Sequence, residues 1–199
     1  LTIRSGEHIF IRGASGSGKT TLLNVLAGIL PPTTGSIQLL GQNFSSLNPI
    51  RRDQFRADHM GIIFQQFNLL PYLSVLDNVL LPCAFSKRRA QLAGQCHTTA
   101  QQLLTHLGIS SSQFNHSVTE LSVGQQQRVA VARALIGHPE LIIADEPTSA
   151  LDTDSRHDFL TLLFQEAQAQ NSTIIFVSHD PTIAQHFTRV IDLAEINRP

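Results

Sequence analysis

Residues 13–20 read Gly13-Ala14-Ser15-Gly16-Ser17-Gly18-Lys19-Thr20, and this stretch decides the fold. Every fixed position of the phosphate-binding pattern G-x-x-x-x-G-K-[ST] is filled. Its flanks suit it. Residues 8–12 (HIFIR) alternate and read as a strand, and residues 19–29 read as a helix that stops near Gly28 and Pro31-Pro32. Glycines lack a Cβ, so successive backbone N–H groups can turn inward around phosphate oxygens. The helix N-terminus behind the loop adds unpaired N–H donors and partial positive charge. Lys19 is spaced to reach β- and γ-phosphates, and the Thr20 hydroxyl to ligate Mg²⁺.

Working outward, residues 36–40 and 61–64 read as short strands. Residues 141–144 (LIIA), 173–177 (TIIFV) and 189–193 read as three more, largely apolar ones. A helix is expected to run from Asp152 to Ala169, with Leu160, Leu163 and Phe164 at helical spacing. Continuous apolar strands separated by helices predict an α/β fold with a largely parallel sheet covered on both faces. The middle differs: residues 75–81, 87–107 and 124–137 all read as helical. One domain is therefore predicted, with an α/β core from 1–64 and 140–199 and an inserted helical subdomain from 65–139.

Three further positions carry chemistry. The strand at 141–144 ends in Asp145-Glu146. In an open α/β sheet, ligands bind beyond the carboxyl ends of the strands, so these acids are expected to face the nucleotide. Asp145 suits Mg²⁺, through water, and Glu146 suits a general base or a group orienting the attacking water. In Val177-Ser178-His179-Asp180, His179 also follows an apolar strand and can hydrogen-bond a γ-phosphate oxygen. Gln65, at the end of strand 61–64, is a candidate to touch Mg²⁺ or that water. The other eight histidines lack such a context and read as surface or structural residues.

Composition narrows the classes. With 42% hydrophobic and 15% charged residues, the 199-residue chain reads as globular and not disordered. A net charge of -1 argues against a broad electrostatic footprint for nucleic acid. Cys83 and Cys96 have no further ligands at metal-site spacing and read as reduced thiols. The longest apolar region, 69–85, is broken by Pro71, Asp77, Asn78 and Pro82 and cannot cross a membrane as one helix. A membrane role would come through a partner.

The stretch Leu121-Ser122-Val123-Gly124-Gln125-Gln126-Gln127-Arg128 resembles the signature sequence of ABC ATPases. The order of elements also resembles that family: P-loop, glutamine loop, signature, Asp-Glu strand, Ser149-Ala150-Leu151-Asp152, then His179. The resemblance implies a P-loop NTPase (RecA-like) core and ATP hydrolysis with Mg²⁺. It also implies two such domains, as a homodimer, packed head to tail around two ATP molecules. Gly13 to Thr21 of one domain would hold each ATP, Lys19 and Thr20 included. Leu121, Ser122, Val123, Gly124 and Gln125 of the other would close over its γ-phosphate. Asp152 would lie at the dimer contact, and Gln65 would link nucleotide state to a permease. Such a domain works at the cytoplasmic face of a membrane, held there by its permease, with no nucleic-acid partner.

Residues 61–79 (GIIFQQFNLLPYLSVLDNV) look most like ATPases of lipoprotein-release, macrolide-efflux and cell-division complexes, which leans the reading to export or extraction. Phe67, Leu69, Leu70, Tyr72 and Leu73 are candidates for a permease-docking groove. Non-transport ABC ATPases of DNA repair or translation are the alternative; they usually carry a long coiled coil or two ATPase domains in one chain, and neither is present in this sequence. A binding module without turnover is disfavoured by Glu146 and His179. Two positions depart from the family pattern. Val123 stands where glycine is frequent, and only twelve residues precede Gly13, with Phe10 the one aromatic candidate to stack on adenine. The latter predicts that a first strand or strands, and adenine stacking, are missing from this chain.

Overall fold

In the computed structural model, residues 1–14, 16–149, 151 and 153–196 are described, without the side chains of Thr153 and Asp154. Ser15, Ala150 and Asp152, three of the positions singled out above, lie outside the described residues. Strand β1 is His8–Arg12, followed by helix α1, Lys19–Leu26. Two short strands, β2 (Gln38–Leu39) and β3 (Gln42–Asn43), pair antiparallel. Helix α2 (Pro49–His59) leads into β4 (Met60–Ile63). Helices α3 (Val75–Phe85), α4 (Lys87–Ala93), α5 (Cys96–His106) and α6 (Val123–Leu135) follow. The chain then runs through β5 (Leu141–Asp145), α7 (Thr153–Ala169), β6 (Thr173–Ser178), β7 (Arg189–Asp192) and α8 (Leu193–Ile196).

Among the described residues, five strands form one parallel sheet in the order β4-β5-β6-β1-β7. The strands are apolar on both faces because both faces are covered. Phe10, Ile142, Ala144, Ile174 and Phe176 point into a core shared with α3, α5, α6 and α7. Ile9, Ile11, Ile143, Ile175 and Val177 point the other way, onto Leu23 and Ala27 of the α1 region and onto Phe44 and Phe55. The outgoing connections of β1 and β6 part in opposite directions, one toward β4 and one toward β7. That switch point opens a crevice at the carboxyl ends of these neighbouring strands.

Four readings of local structure change. The expected helix at 87–107 is two helices, broken where Gly94 adopts φ 64. The Thr99 hydroxyl then donates to the Ala93 carbonyl across the break. The strand expected at 36–40 holds only two paired residues. Helix α2 was not anticipated, although its start is legible: Asn48 accepts from the Arg51 N–H and Pro49 occupies the first turn. Phe67, expected on a docking surface, is 7% exposed, and Leu69 packs against the core, whereas Tyr72 is exposed. Arg133 donates to the carbonyls of Phe67 and Asn68 and fixes that turn inward.

Candidate active site

Register brings the chemistry to one edge. Arg12 pairs with Ser178 and Asp145 with Val177, so β1, β5 and β6 end level. The P-loop leaves β1 there, Asp145-Glu146 close β5, and His179 follows β6. Gly18 caps α1 at φ 97, a conformation that L side chains rarely adopt, and so turns the loop into the helix. Gly13 sits where a methyl would meet Ser17 Oγ, so the loop packs on itself. Gly16 borders open space. Gly13 is half-buried, while Ala14 and Thr21 are exposed.

Lys19 is only 6% exposed and arches back over the loop. Its Nζ donates to the Gly13 and Ala14 carbonyls, both at 2.9 Å, and lies 3.4 Å from Glu146 Oε1. On its other side, the Glu146 carboxylate accepts from His179 Nδ1 at 2.6 Å. Glu146 itself has φ 44, held by its N–H donating to the Val177 carbonyl at 2.9 Å. A non-glycine residue in the left-handed region is costly and persists only when its surroundings impose it. Here the strained backbone aims the carboxylate at the P-loop lysine.

Asp145 is beside them, with the Thr20 hydroxyl as its neighbour. Burial holds its carboxyl above the usual carboxylate range; Glu146 pushes the same way, and Thr20 and Lys19 oppose. Its Oδ1 is buried without a partner among the described residues, and so is Ser17 Oγ. Buried polar atoms without partners are exceptions that call for a ligand or ion. A carboxylate oxygen beside a threonine hydroxyl is the donor chemistry of a hard cation such as Mg²⁺, so these residues fit one. Gln65 is exposed just beyond β4, on the same edge of the sheet.

The signature residues stand apart from this cluster. Ser122 caps α6: its hydroxyl accepts from the Gln125 N–H, and Gln125 Oε1 accepts from the Ser122 N–H. Gln125 also reaches Gln113. Leu121 is buried, Val123 is half-exposed, and space is open above Gly124. None of these residues hydrogen-bonds the P-loop among the described residues.

Two contacts important to the site were not anticipated. Gln127, 1% exposed, donates to the Pro147 carbonyl at 2.7 Å and ties α6 to the turn after Glu146. Arg156 of α7 pairs with Asp180, next to His179. Neither partner is close in sequence, so no spacing rule signals them.

A parallel sheet with a phosphate loop at its carboxyl edge and two acids closing a nearby strand defines a P-loop nucleoside-triphosphatase domain. The profile described as ABC transporter matches residues 1–149. The chain belongs to the ABC transporter ATP-binding family. It is 40% identical over 195 residues to the macrolide export ATP-binding/permease protein MacB of Rhodopirellula baltica, covering 98% of this chain and 28% of that protein. It is 44% identical over 200 residues to MacB of Hyphomonas neptunium, with 98% and 30% covered. The chain thus spans less than a third of the length of these relatives. The dimeric, post-hydrolysis ATP-binding cassette MJ0796 bound to ADP and Pi superposes with TM-score 0.86 and 38% identity, over 96% of this chain and 83% of that one. The cbiO1 structure from Clostridium perfringens, part of the cbiONQ transporter complex, gives 0.83 and 28%, over 96% and 75%.

Proposed function

We propose that this domain hydrolyses ATP to ADP and phosphate and drives a permease of the export or lipid-extraction type. The observation that carries the reading is the convergence of Lys19, Thr20, Asp145, Glu146 and His179 at one sheet edge. Glu146 is shared between Lys19 and His179. A triphosphate offers both groups a stronger anionic partner. Lys19 then turns to the β- and γ-phosphates and His179 to a γ-phosphate oxygen, and Glu146 is released to accept a proton from the attacking water. Thr20 and Asp145, with Gln65, would hold Mg²⁺, which supplies charge neutralisation at the phosphates.

The signature residues supply the other half. Ser122 and the free N–H groups at the start of α6 form an anion-binding helix end that faces no phosphate of its own chain. Two copies packed head to tail bring Leu121 to Gln125 of one over the P-loop of the other, with Asp152 at the contact. The dimeric MJ0796 cassette, bound to ADP and Pi, supports the pairing of two such domains. The body of the domain is 1–64 with 140–199, and 65–139 is the helical subdomain that carries the signature. A groove of about 630 Å³ between α2 and α3, lined by Ile50, Phe64, Leu81, Pro82 and Phe85, is the docking surface for a permease helix. Ile50 and Phe85 are 82% and 73% exposed there. This replaces Phe67 and Leu69 as the docking residues. The relatives' names, which join ATP-binding and permease parts, support a permease partner; the domain would work beside it at the cytoplasmic face of a membrane.

The test is Glu146→Gln in the intact protein. With ATP and Mg²⁺, turnover is expected to fall at least 100-fold while an ATP-dependent dimer accumulates on sizing chromatography. A variant that stays monomeric and keeps its turnover would overturn the reading.

A further inference from the structure

Arg156 lies one turn into α7, and its guanidinium joins two segments that flank the site. One nitrogen, Nη1, donates to Asp180 Oδ2. The other, Nη2, donates to the Leu151 carbonyl at 3.2 Å. Asp180 directly follows His179 and is fully engaged. Its Oδ1 accepts from the Thr182 N–H at 2.9 Å and from the Thr182 hydroxyl at 2.7 Å, and its own N–H donates to Ser178 Oγ at 3.2 Å. Arg156 therefore ties the backbone at Leu151 to Asp180, and the chain itself leads from Asp180 to its neighbour His179, whose ring meets the Glu146 carboxylate.

Helix stability does not explain this arginine. A cation in the first turn opposes the helix dipole, which favours anions there. Its Nε is buried with no acceptor among the described residues, which costs stability as well. What its two engaged nitrogens join is the Asp180 carboxylate and the Leu151 carbonyl.

We propose that Arg156 is a positioning residue that couples the backbone at Leu151 to the His179 imidazole. The inference rests on the ATPase reading above and adds to it a residue that sets the histidine. Arg156 holds the Asp180 carboxylate to the Leu151 carbonyl, and the backbone fixed at Asp180 sets its neighbour His179 against the γ-phosphate. Hydrolysis, rather than ATP binding, then depends on Arg156.

The experiment uses the intact protein and four variants: Arg156→Ala, Arg156→Lys, Asp180→Asn and the Arg156→Ala/Asp180→Asn pair. Steady-state hydrolysis, ATP affinity with a fluorescent ATP analogue, and thermal unfolding are measured for each. Arg156→Ala is expected to lower kcat about 10-fold or more, with KM and ATP affinity within about twofold. Arg156→Lys keeps the charge beside Asp180 but lacks the fork that also reaches Leu151, so it should recover only part of the loss. The double variant should be no slower than the slower single one, because both cut the same tie. Should Arg156→Ala fail to fold, the Arg156→Lys and Asp180→Asn rates carry the same test. Unchanged kcat, losses that multiply independently, or a fall in ATP affinity that accounts for the rate would overturn the proposal. Glu146→Gln is run alongside: if it retains turnover, the site reading itself fails, separately from Arg156.

Discussion

Gly61 offers the sharpest test of how the fold sets the site. It lies in β4, where α6 crosses the sheet closely. A methyl at 61 would overlap the Ala134 carbonyl oxygen and stand 2.9 Å from its carbonyl carbon and 3.1 Å from its Cα. Carbon atoms prefer separations of about 3.5–4.0 Å, so β4 and α6 must part by roughly 0.5–1 Å. The obstacle is backbone, which cannot rotate away as a side-chain tip can. Overpacking of this kind costs about 1–3 kcal/mol, and this case belongs at the upper end. For a domain of this size that lowers Tm by roughly 4–10 °C. The same shift reaches function, because α6 carries Ser122 at its start and Gln127, which holds the Pro147 carbonyl, in its second turn. Misplacement of about 1 Å at catalytic groups costs up to ~100-fold in rate. The assay is thermal unfolding and ATP turnover of Gly61→Ala beside Gly124→Ala. Space is open above Gly124, so a methyl there should leave Tm unchanged or slightly higher yet slow turnover at the dimer face. If Gly61→Ala melted within 1 °C of the parent, in contrast to that roughly 4–10 °C fall, the close approach of β4 and α6 would be refuted.

Three further outcomes are expected. Because burial raises the Asp145 pKa, the native state binds its proton more tightly than the unfolded state. Stability of the nucleotide-free protein therefore falls as pH rises from the usual carboxylate value to the raised one, then levels. Asp145→Asn should melt higher than the parent at neutral pH, lose this advantage in acid, and lose Mg²⁺-dependent turnover; a lower melting point at neutral pH would contradict the argument. Burial, followed by the neighbouring Cys96 thiol, pushes the Cys83 thiol up to about 12. It should resist alkylation at pH 8 in the folded chain and react once the chain is denatured, as mass spectrometry would show. Arg89, 2% exposed, donates to the carbonyls of Met60, Arg133, Ala134 and Ile136, and burial draws its pKa down to about 10. Arg89→Ala strands those acceptors and should destabilise by at least about 1–3 kcal/mol in denaturant titration; a change near zero would refute its role as the clasp between α4, α6 and β4.

The sequence alone determined the elements that speak in short range. The P-loop, the apolar strands and the acids closing β5 follow from local spacing, because backbone geometry acts over a few residues. The resemblance to ABC ATPases rested on the same short stretches, and the family match agrees with it. The break at Gly94 was missed because helical periodicity runs straight across it. Only the tertiary structure decided which residues meet. Lys19 and Glu146 are 127 positions apart, and Arg156 and Asp180 are 24 apart on different elements. Their contacts depend on strand order, register and the crossing of α6 over β4, which are fixed by packing the whole core at once. The same packing took Phe67 inside and left Ile50 and Phe85 exposed at the groove. Apolar residues look alike in sequence, and the neighbours that cover them come from distant parts of the chain.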